Sequence, residues 1–278
     1  MRTSIVDRFP AVLVLAWRPH LAALLLAAAA AVTGTVWVRP VIGIVALAVG
    51  LPAVLHRRAA PRRAPSADDV TVLVLNVWHG RADTGALAAL VERERPDLVV
   101  LPEAGHEYCG RILERLAGYR GVASTPPGRR DGWGVTVLAG PRAADVGLEP
   151  EHVMRLPHVR VTGGLLGDRE LYAVHATAPA RLGVVHDWRR DLRTAAGWTA
   201  TGAIVAGDVN ATVDHRLLRA VGRSAGPAGT GTWPARLPRW AGIRIDHVLL
   251  PDGVESSAAS VHDVAGSDHR AVLARLRL

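Results

Sequence analysis

The sequence predicts a layered domain of mixed strands and helices, of the α/β or α+β class, behind an apolar N-terminal segment. The chain has 278 residues, of which 49% are hydrophobic, so it can bury a large core. From residue 70 onward, short runs of β-branched and aliphatic residues alternate with stretches that have apolar residues at helical spacing. This alternation indicates sheets covered by helices, and periodicity alone does not choose between the two classes.

The N-terminal segment contains two uncharged apolar runs. Residues 21–38 meet the length needed for a spanning helix only at its lower limit. Residues 41–55 would extend about 22 Å at 1.5 Å per residue, short of a hydrocarbon core of roughly 30 Å. Arginines flank both runs, and the positive-inside rule places them on the cytoplasmic face. We therefore expect residues 1–56 to form a helical hairpin with two spans in the cell membrane, followed by a cytoplasmic domain.

Two alternatives to this topology stay open. A cleaved signal peptide would also be apolar near its N-terminus, although here the apolar stretch would be unusually long. If residues 11–17 also enter the membrane, the number of crossings changes, and with it the side on which the rest of the chain lies.

The net charge of +8 divides unevenly along the chain. Residues 1–65 contain eight arginines and one acid, a net charge of +7, so the rest of the chain carries +1. Because the basic excess flanks the apolar runs, the anionic head groups of a lipid bilayer explain it better than nucleic-acid phosphates do. The single cysteine, Cys109, excludes an internal disulfide and a zinc site built from cysteines alone.

A proline- and arginine-rich linker, residues 57–68, separates this segment from a folded domain expected over residues 69–278. Predicted strands cover residues 70–77, 98–101, 134–138, 171–174, 203–206, 243–250 and 271–276. Predicted helices cover residues 84–95, 107–117 and 181–199. Pro96 ends the first of these helices.

Polar side chains stand where the predicted strands end. They are Asn76, Glu103, His175, Asp208 with Asn210, Asp246 with His247, and Asp268 with His269. Strand ends hold side chains rigidly and leave them accessible. Carboxylates, amides and imidazoles are the groups that metal-assisted hydrolysis of a phosphate ester requires. Each residue alone has an ordinary structural explanation, such as an Asx turn at Asn76 or a core histidine at His175.

Five segments that contain these residues form an ordered series of motifs. They are VLNV at 74–77, PDLVVLPE at 96–103, GDVN at 207–210, RIDHVL at 244–249 and GSDHRAV at 266–272. In this order they resemble the endonuclease/exonuclease/phosphatase superfamily, across about residues 70–278. The resemblance implies a four-layer α/β (α+β) sandwich, in which two packed mixed β-sheets are flanked by helices, and a phosphoesterase activity.

The resemblance also implies a divalent metal ion, Mg²⁺ with Mn²⁺ as the alternative. Glu103 corresponds to the principal metal ligand. Asn76 and Asp268 would complete or support the metal shell.

The remaining motif residues are implied to act on water and phosphate. Asp208 and Asn210 would position and deprotonate the attacking water. His269, oriented by Asp246, would contact the phosphate as a base or as a stabiliser of the transition state. His175 would stabilise phosphoryl oxygens or protonate the leaving group. Whether Asp208 or His269 accepts the proton stays open.

The sequence departs from the family pattern at several places. Pro102 replaces the glutamine that usually precedes the glutamate, and the glutamate that deoxyribonucleases carry near residues 133–138 is absent. The motifs leave open whether the substrate is a nucleic acid, a phospholipid head group or a small molecule, and whether it is a diester or a monoester. They imply no obligate protein partner. The alternative from another class is a catalytically decayed, membrane-bound binding protein on the same fold.

The tryptophans divide by position. Trp78 and Trp133 are close to the motifs and can line a substrate cleft. Trp188 and Trp198 fall on a predicted helix, so core packing is expected for both.

Overall fold

A computed structural model describes residues 8–31, 38–56, 64–227 and 229–278. Its strands are β1 Val70–Val74, β2 Leu98–Pro102, β3 Arg120–Ala123, β4 Val135–Ala139, β5 Gly147–Glu151, β6 His158–Thr162, β7 Glu170–His175, β8 Ile204–Asp208, β9 Arg223–Ser224, β10 Asp246–Leu250, β11 Glu255–Asp263 and β12 Arg270–Arg277. Its α-helices are α1 Ala11–Ala16, α2 Arg18–Ala31, α3 Val38–His56, α4 Thr84–Glu94, α5 His106–Leu113, α6 Val185–Ala200 and α7 Arg216–Val221.

The strands form two six-stranded mixed sheets. The first sheet has the order β11-β12-β1-β2-β4-β3, and the second has the order β5-β6-β7-β8-β10-β9. Each sheet contains one parallel pair, β1 with β2 and β7 with β8, and its other pairs are antiparallel. Consequently the carboxyl ends of β1, β2, β7 and β8 share an edge with the amino ends of β10 and β12.

The domain has four layers: two sheets packed face to face, with helices on the outer face of each sheet. Inward-facing aliphatic residues of both sheets, such as Val72, Val100, Val161 and Ala206, form one core cluster. Helices α4 and α5 cover the outer face of the first sheet, and α6 and α7 cover the second. The expected arrangement of two packed mixed sheets flanked by helices is therefore confirmed.

The predicted strands are all present, and the unpredicted ones lie mainly at sheet edges. Strands β3, β5 and β11 carry many exposed or half-exposed residues, so they lack the continuous apolar run that marks a central strand. The longest predicted helix begins later than expected, at Val185, because a 3₁₀ turn occupies Leu182–Val184.

The prediction of two spans in the cell membrane is wrong, and the expected binding to a lipid bilayer is not supported. Within the described ranges, no helix combines the length and the apolar character that crossing a bilayer needs. Helix α2 has 14 residues, about 21 Å at 1.5 Å per residue, and α3 carries Arg39 in its first turn. Residues 32–37 of the first predicted span and residues 57–63 of the predicted linker lie outside the described ranges.

Helix α1 of the N-terminal segment packs on the domain. Val12 of α1 is 1% exposed and belongs to the core cluster beneath α6 and α7. The Val12 carbonyl oxygen lies 2.9 Å from Nε2 of His215. Ala16 packs with residues just before β10, and the Trp17 ring meets the Trp233 ring edge-on at 6.5 Å. These contacts place α1 beside the loop that precedes β10.

The close approach of β7 and β8 requires glycine at position 207. Gly207 has φ 146°, and a Cβ atom there would lie 1.8 Å from the Val174 carbonyl oxygen. The overlapping atom of Val174 belongs to the backbone, so no side-chain rotation can relieve the overlap. The parallel pairing of Val174 with Gly207 also sets the neighbouring pair, His175 with Asp208.

We expect Gly207→Ala to destabilise the protein by at least about 3 kcal/mol, because both the steric overlap and the positive φ penalise a Cβ. The measurement is the free energy of unfolding from denaturant titration of the full chain. Gly197→Ala is the matched control: Gly197 lies in α6 with nothing within 4 Å of its added Cβ, so this change is expected to be neutral or stabilising by up to about 1 kcal/mol. Equal stabilities of the two variants would contradict the steric argument.

Candidate active site

The eight side chains proposed from the sequence meet at one edge of the sandwich. Some of these side chains lie at the carboxyl ends of β1, β2, β7 and β8. The others lie at the amino ends of β10 and β12. The antiparallel pairing of β10 with β8 and of β12 with β1 brings these amino ends to the same edge. In register, Asp208 stands between His175 on one neighbouring strand and Asp246 on the other. The topology thus gathers residues that are far apart in the chain.

The Asp208 carboxylate occupies the centre of this group. Its Oδ2 accepts a hydrogen bond of 3.0 Å from Nδ2 of Asn76. Two imidazole nitrogens, Nε2 of His175 and Nε2 of His269, each lie 4.0 Å from the same oxygen. Asp208 Oδ1 accepts a hydrogen bond of 2.9 Å from the Asn210 backbone N–H. One oxygen is thereby fixed by the backbone, while the other faces the polar centre.

Glu103 reaches the same centre from the first sheet. It has φ 61°, a left-handed conformation that is uncommon for a residue other than glycine and often occurs at functional sites. Its Oε1 accepts a hydrogen bond of 3.0 Å from Asn76 Nδ2 and lies 3.8 Å from His175 Nε2. Its Oε2 accepts from the His79 backbone N–H at 2.8 Å and lies 2.9 Å from the His79 ring Nδ1.

The Asn76 amide links the two carboxylates. Its Oδ1 accepts from the Trp78 backbone N–H at 2.9 Å, which fixes the orientation of the amide. The amide nitrogen therefore points to Glu103 and Asp208 and donates to both at 3.0 Å. Asn76 is completely buried, so this bridge is shielded from water.

His269 forms a buried ion pair with Asp246. Its Nδ1 lies 2.9 Å from Asp246 Oδ2, which leaves Nε2 directed at Asp208 and, at 3.8 Å, at Asp268 Oδ1. Burial lowers the pKa of His269, but the charges of Asp246, Asp208 and Asp268 and the Asp246 hydrogen bond outweigh it and raise the pKa to about 10. His269 is therefore an imidazolium at neutral pH.

The pKa values of Asp208 and His175 are shifted mainly by burial. Desolvation and the nearby Asp246 charge raise the pKa of Asp208 to about 7, although His269 and the hydrogen bonds from Asn210 and Asn76 lower it. Desolvation lowers the pKa of His175 against the opposing charge of Glu103, so this imidazole is neutral. The site therefore combines a carboxyl group that titrates near neutral pH with one charged and one neutral imidazole.

The loops that carry His175 and Asn210 are joined to each other. Asn210, with φ 49°, donates from Nδ2 to the Ala176 carbonyl oxygen at 3.0 Å. The buried Trp188 ring donates from Nε1 to the Asn210 carbonyl oxygen at 3.1 Å. As expected, Trp188 belongs to the core. Its position also stabilises the turn that follows β8.

Asp268 is held by one oxygen and presents the other. Its Oδ2 accepts a hydrogen bond of 3.1 Å from Nε1 of Trp233. Its Oδ1 is buried, with no hydrogen-bond partner among the described residues, and lies toward Nε2 of His269. A buried carboxylate oxygen without a partner costs free energy unless a cation or a substrate donor satisfies it.

Two groups of side chains have the chemistry to hold a divalent cation. Asp208, Asp246 and His269 offer ligand atoms within 4.8 Å of one another. However, Asp246 Oδ2 and His269 Nδ1 are already paired, and a protonated imidazole cannot bind a metal. Glu103 and the unpartnered Oδ1 of Asp268 supply carboxylate oxygens, the hard ligands that Mg²⁺ and Mn²⁺ prefer, so their chemistry suits such an ion.

Sequence reasoning missed several residues that position the site. His79 contacts Glu103 through both its backbone and its ring. Thr232 Oγ1 accepts hydrogen bonds from the Ile245 and Asp246 backbone N–H groups at 3.1 and 3.3 Å. The buried Arg270 guanidinium donates to carbonyl oxygens of the loop that carries Trp233. His79 lies two residues after the first motif and Arg270 lies inside the last one, so the sequence offers a signal for both, whereas Thr232 lies in a loop without a recognisable pattern.

Comparison with known proteins identifies the family and the fold. A sequence model of the endonuclease/exonuclease/phosphatase family matches residues 73–269. A comparison with curated proteins gives no significant match.

Solved structures share the fold at low sequence identity. An endonuclease/exonuclease/phosphatase from Beutenbergia cavernae DSM 12333 is 22% identical, with a TM-score of 0.54, covering 76% of this chain and 72% of that one. The mannosyl-6-phosphatase Bt3783 of Bacteroides thetaiotaomicron VPI-5482 is 14% identical, with a TM-score of 0.55, covering 75% and 100%. D. rerio TDP2 complexed with single strand DNA product is 14% identical, with a TM-score of 0.53, covering 76% and 99%.

These structural likenesses concern the fold alone, since all three identities are low. The family assignment rests on the sequence model, because its match spans more than half of the chain and includes every proposed site residue. The chain therefore belongs to the endonuclease/exonuclease/phosphatase family.

Proposed function

We propose that the chain is a divalent-metal-dependent hydrolase of phosphate esters. The observation that carries this proposal is the arrangement around Asp208 Oδ2, where an amide nitrogen and two imidazole nitrogens surround one buried carboxylate oxygen beside Glu103. A non-catalytic binding protein has no need for a carboxyl group with a pKa of about 7 next to an imidazole whose acidic neighbours raise its pKa to about 10. The alternative of a decayed enzyme is therefore disfavoured.

The metal in this proposal is Mg²⁺, with Mn²⁺ as a substitute. Glu103 would hold it, and Asp268 and Asn76 would complete or support the site. When bound, such an ion neutralises phosphoryl charge and lowers the pKa of water. The Asn76 amide donates to Glu103, so its further role is to orient that carboxylate.

For the proton, we assign Asp208 as the base. A general base is most effective when its pKa is close to the working pH, and burial raises the pKa of Asp208 to about 7. His269 is already protonated and would stabilise charge on a phosphoryl oxygen through Nε2–H. Asp246 is the positioning residue that keeps His269 charged and correctly oriented. The neutral His175 would donate a hydrogen bond from the side of Glu103.

The candidate substrates are nucleic acids, phospholipid head groups and small phosphate esters. One structural neighbour is a mannosyl-6-phosphatase and another was solved with a single strand DNA product, so the same fold accommodates small phosphate esters and nucleic acid. A panel of plasmid DNA, RNA, sphingomyelin, sugar phosphates and inositol phosphates would separate these classes.

We expect the full chain to hydrolyse bis-p-nitrophenyl phosphate in the presence of Mg²⁺ or Mn²⁺, measured by release of p-nitrophenol. His269→Ala should lower kcat by about 10²- to 10⁴-fold, because it removes the charged donor. A circular-dichroism melt of the variant checks that the fold is retained. Absence of turnover above the His269→Ala background, over several metals and substrates, would refute the proposed activity.

Glu103→Gln should raise the Mg²⁺ concentration for half-maximal activity by about tenfold or more, because a neutral amide is a poorer ligand than a carboxylate. The titration is followed by activity and, independently, by calorimetry. Glu92→Gln removes an exposed carboxylate on α4 and serves as the control. If Glu103→Gln and Glu92→Gln gave the same metal titration as the wild type, Glu103 would be removed from the metal site.

Asp246→Asn should lower the pKa of His269 from about 10 by more than one pH unit, because it removes the strongest neighbouring negative charge. The titration of the His269 ring signal by NMR, in metal-free protein, measures this directly. In the wild type the raised pKa contributes stability that is complete below about pH 6.5 and is lost as the pH rises through about 10. This loss should be smaller in Asp246→Asn, and an unchanged His269 titration would contradict the ion-pair assignment.

A further inference from the structure

An open cleft of about 470 Å³ lies between the loop that follows β3 and the loop that joins β5 to β6. The residues that line it are Ser124, Thr125, Pro126, Arg129, Trp133, Pro150, Glu151, His152, Arg155 and Pro157. None of the catalytic side chains described above is among them. Its volume is within the range of small-molecule sites, roughly 300–1,000 Å³.

One wall of the cleft is fixed to the Glu103 side of the active site. This wall is the loop that carries Arg129 and Trp133. Between these two residues, Asp131 accepts hydrogen bonds from the Gly105 backbone N–H at 2.9 Å and from the Tyr108 backbone N–H at 3.3 Å. Gly105 follows Glu103 by two residues, so the wall is anchored next to that carboxylate.

The opposite wall is fixed to the His175 side. The Arg155 backbone N–H donates to Asp191 Oδ1 at 3.0 Å. The other oxygen of Asp191 accepts from both the backbone N–H and the hydroxyl of Thr177, at 3.0 and 2.7 Å. Thr177 follows His175 by two residues. The two walls are thus attached to the segments that follow Glu103 and His175 on the two sides of the active site.

The electrostatics of the cleft favour an anion. The Arg129 guanidinium lies 5.5 Å from the Trp133 ring centroid, and no ion pair joins it to an acid in the described part of the chain. Arg155 adds a second guanidinium, shared with Asp187 at 3.1 Å. The acid in the lining, Glu151, is already paired with Arg160 at 3.0 Å. A cationic group would be repelled here, even though an aromatic ring is present.

An unpartnered donor points to the same conclusion. Thr125 lines the cleft and is 6% exposed, and its hydroxyl oxygen has no hydrogen-bond partner among the described residues. A buried hydroxyl without a partner is costly, so a ligand oxygen would satisfy it. Hydroxyl and guanidinium groups together are the donors that recognise phosphate.

We propose that this cleft binds a second phosphate group of the substrate, beyond the one that is hydrolysed. The inference rests on the proposed function, because the ester undergoing hydrolysis occupies the site around Asp208. Arg129 and Arg155 supply the charge, Thr125 supplies a hydrogen bond, and Trp133 offers a flat surface to the part of the substrate between the two phosphates. The preferred substrate therefore carries at least two phosphate groups, as in an oligonucleotide or a polyphosphorylated polyol.

Binding of thymidine 3′,5′-bisphosphate and thymidine 5′-monophosphate tests this inference directly. Isothermal titration calorimetry is done with Mg²⁺ on full-length His269→Ala, so that neither ligand is consumed. The bisphosphate should bind about tenfold or more tightly, since one charge-assisted contact contributes on that scale. Adding Arg129→Ala should bring the affinity ratio close to one. Arg130→Ala removes an exposed neighbour that does not line the cleft, and should leave the ratio unchanged.

A further titration with myo-inositol 1,4-bisphosphate distinguishes the two substrate classes that could provide the second phosphate, a nucleotide and a phosphorylated polyol. Binding of the inositol bisphosphate in competition with the thymidine ligand indicates a polyol substrate, whereas selectivity for the thymidine bisphosphate indicates a nucleotide. Equal affinities for the mono- and bisphosphate in the Arg129-containing protein, or an unchanged ratio in Arg129→Ala, would overturn the inference. The binding experiment measures no turnover. Its failure can therefore be told apart from a failure of the hydrolysis assay, which uses the protein with His269 intact.

Discussion

The hydrogen bonds of the Asn76 amide join the two sheets at the edge where the site is built. Asn76 and Glu103 belong to the first sheet, and Asp208 belongs to the second. One amide nitrogen donates to both carboxylates, so a sliding of the sheets past each other would break at least one bond. Buried sheets pack through interdigitated side chains and resist such sliding. The relative position of the two halves of the site therefore depends on the packing of the central core.

Much of the site is predictable from the sequence because strand ends are predictable. Buried aliphatic runs such as β1, β2 and β8 have a clear pattern, and a polar residue immediately after such a run marks the sheet edge. Parallel and antiparallel pairing then bring these residues to one edge. The sequence does not reveal contacts that depend on loop conformation, such as those of His79, Thr232 and Arg270. Edge strands such as β3 and β5 are equally hard to predict, since half-exposed residues lack periodic signal.

The N-terminal segment shows how composition can mislead. An alanine- and leucine-rich run looks the same whether its apolar surface faces lipid or another part of the protein. In the structure, Val12 and Ala16 contact the catalytic domain, and Ala22 and Ala46 are buried where α2 and α3 meet. The small side chains permit close approach: a Cβ on Gly50 would lie 3.1 Å from that of Ala22. The larger side chains of α2 and α3, such as Leu24, Ile44 and Leu47, remain exposed, so only the small residues of the two runs are covered by these contacts.

The strand order determines when the candidate site can form during synthesis. β1, the first strand in the sequence, pairs along its whole length with β12, the last one, and β12 lies inside the first sheet between β1 and β11. Contacts between such distant segments form slowly, because a long loop must close first. Asp268 and His269 immediately precede β12. During synthesis on the ribosome, the chain therefore cannot assemble the candidate site until β12 has emerged, so an incomplete nascent chain lacks the residues on which the proposed function depends.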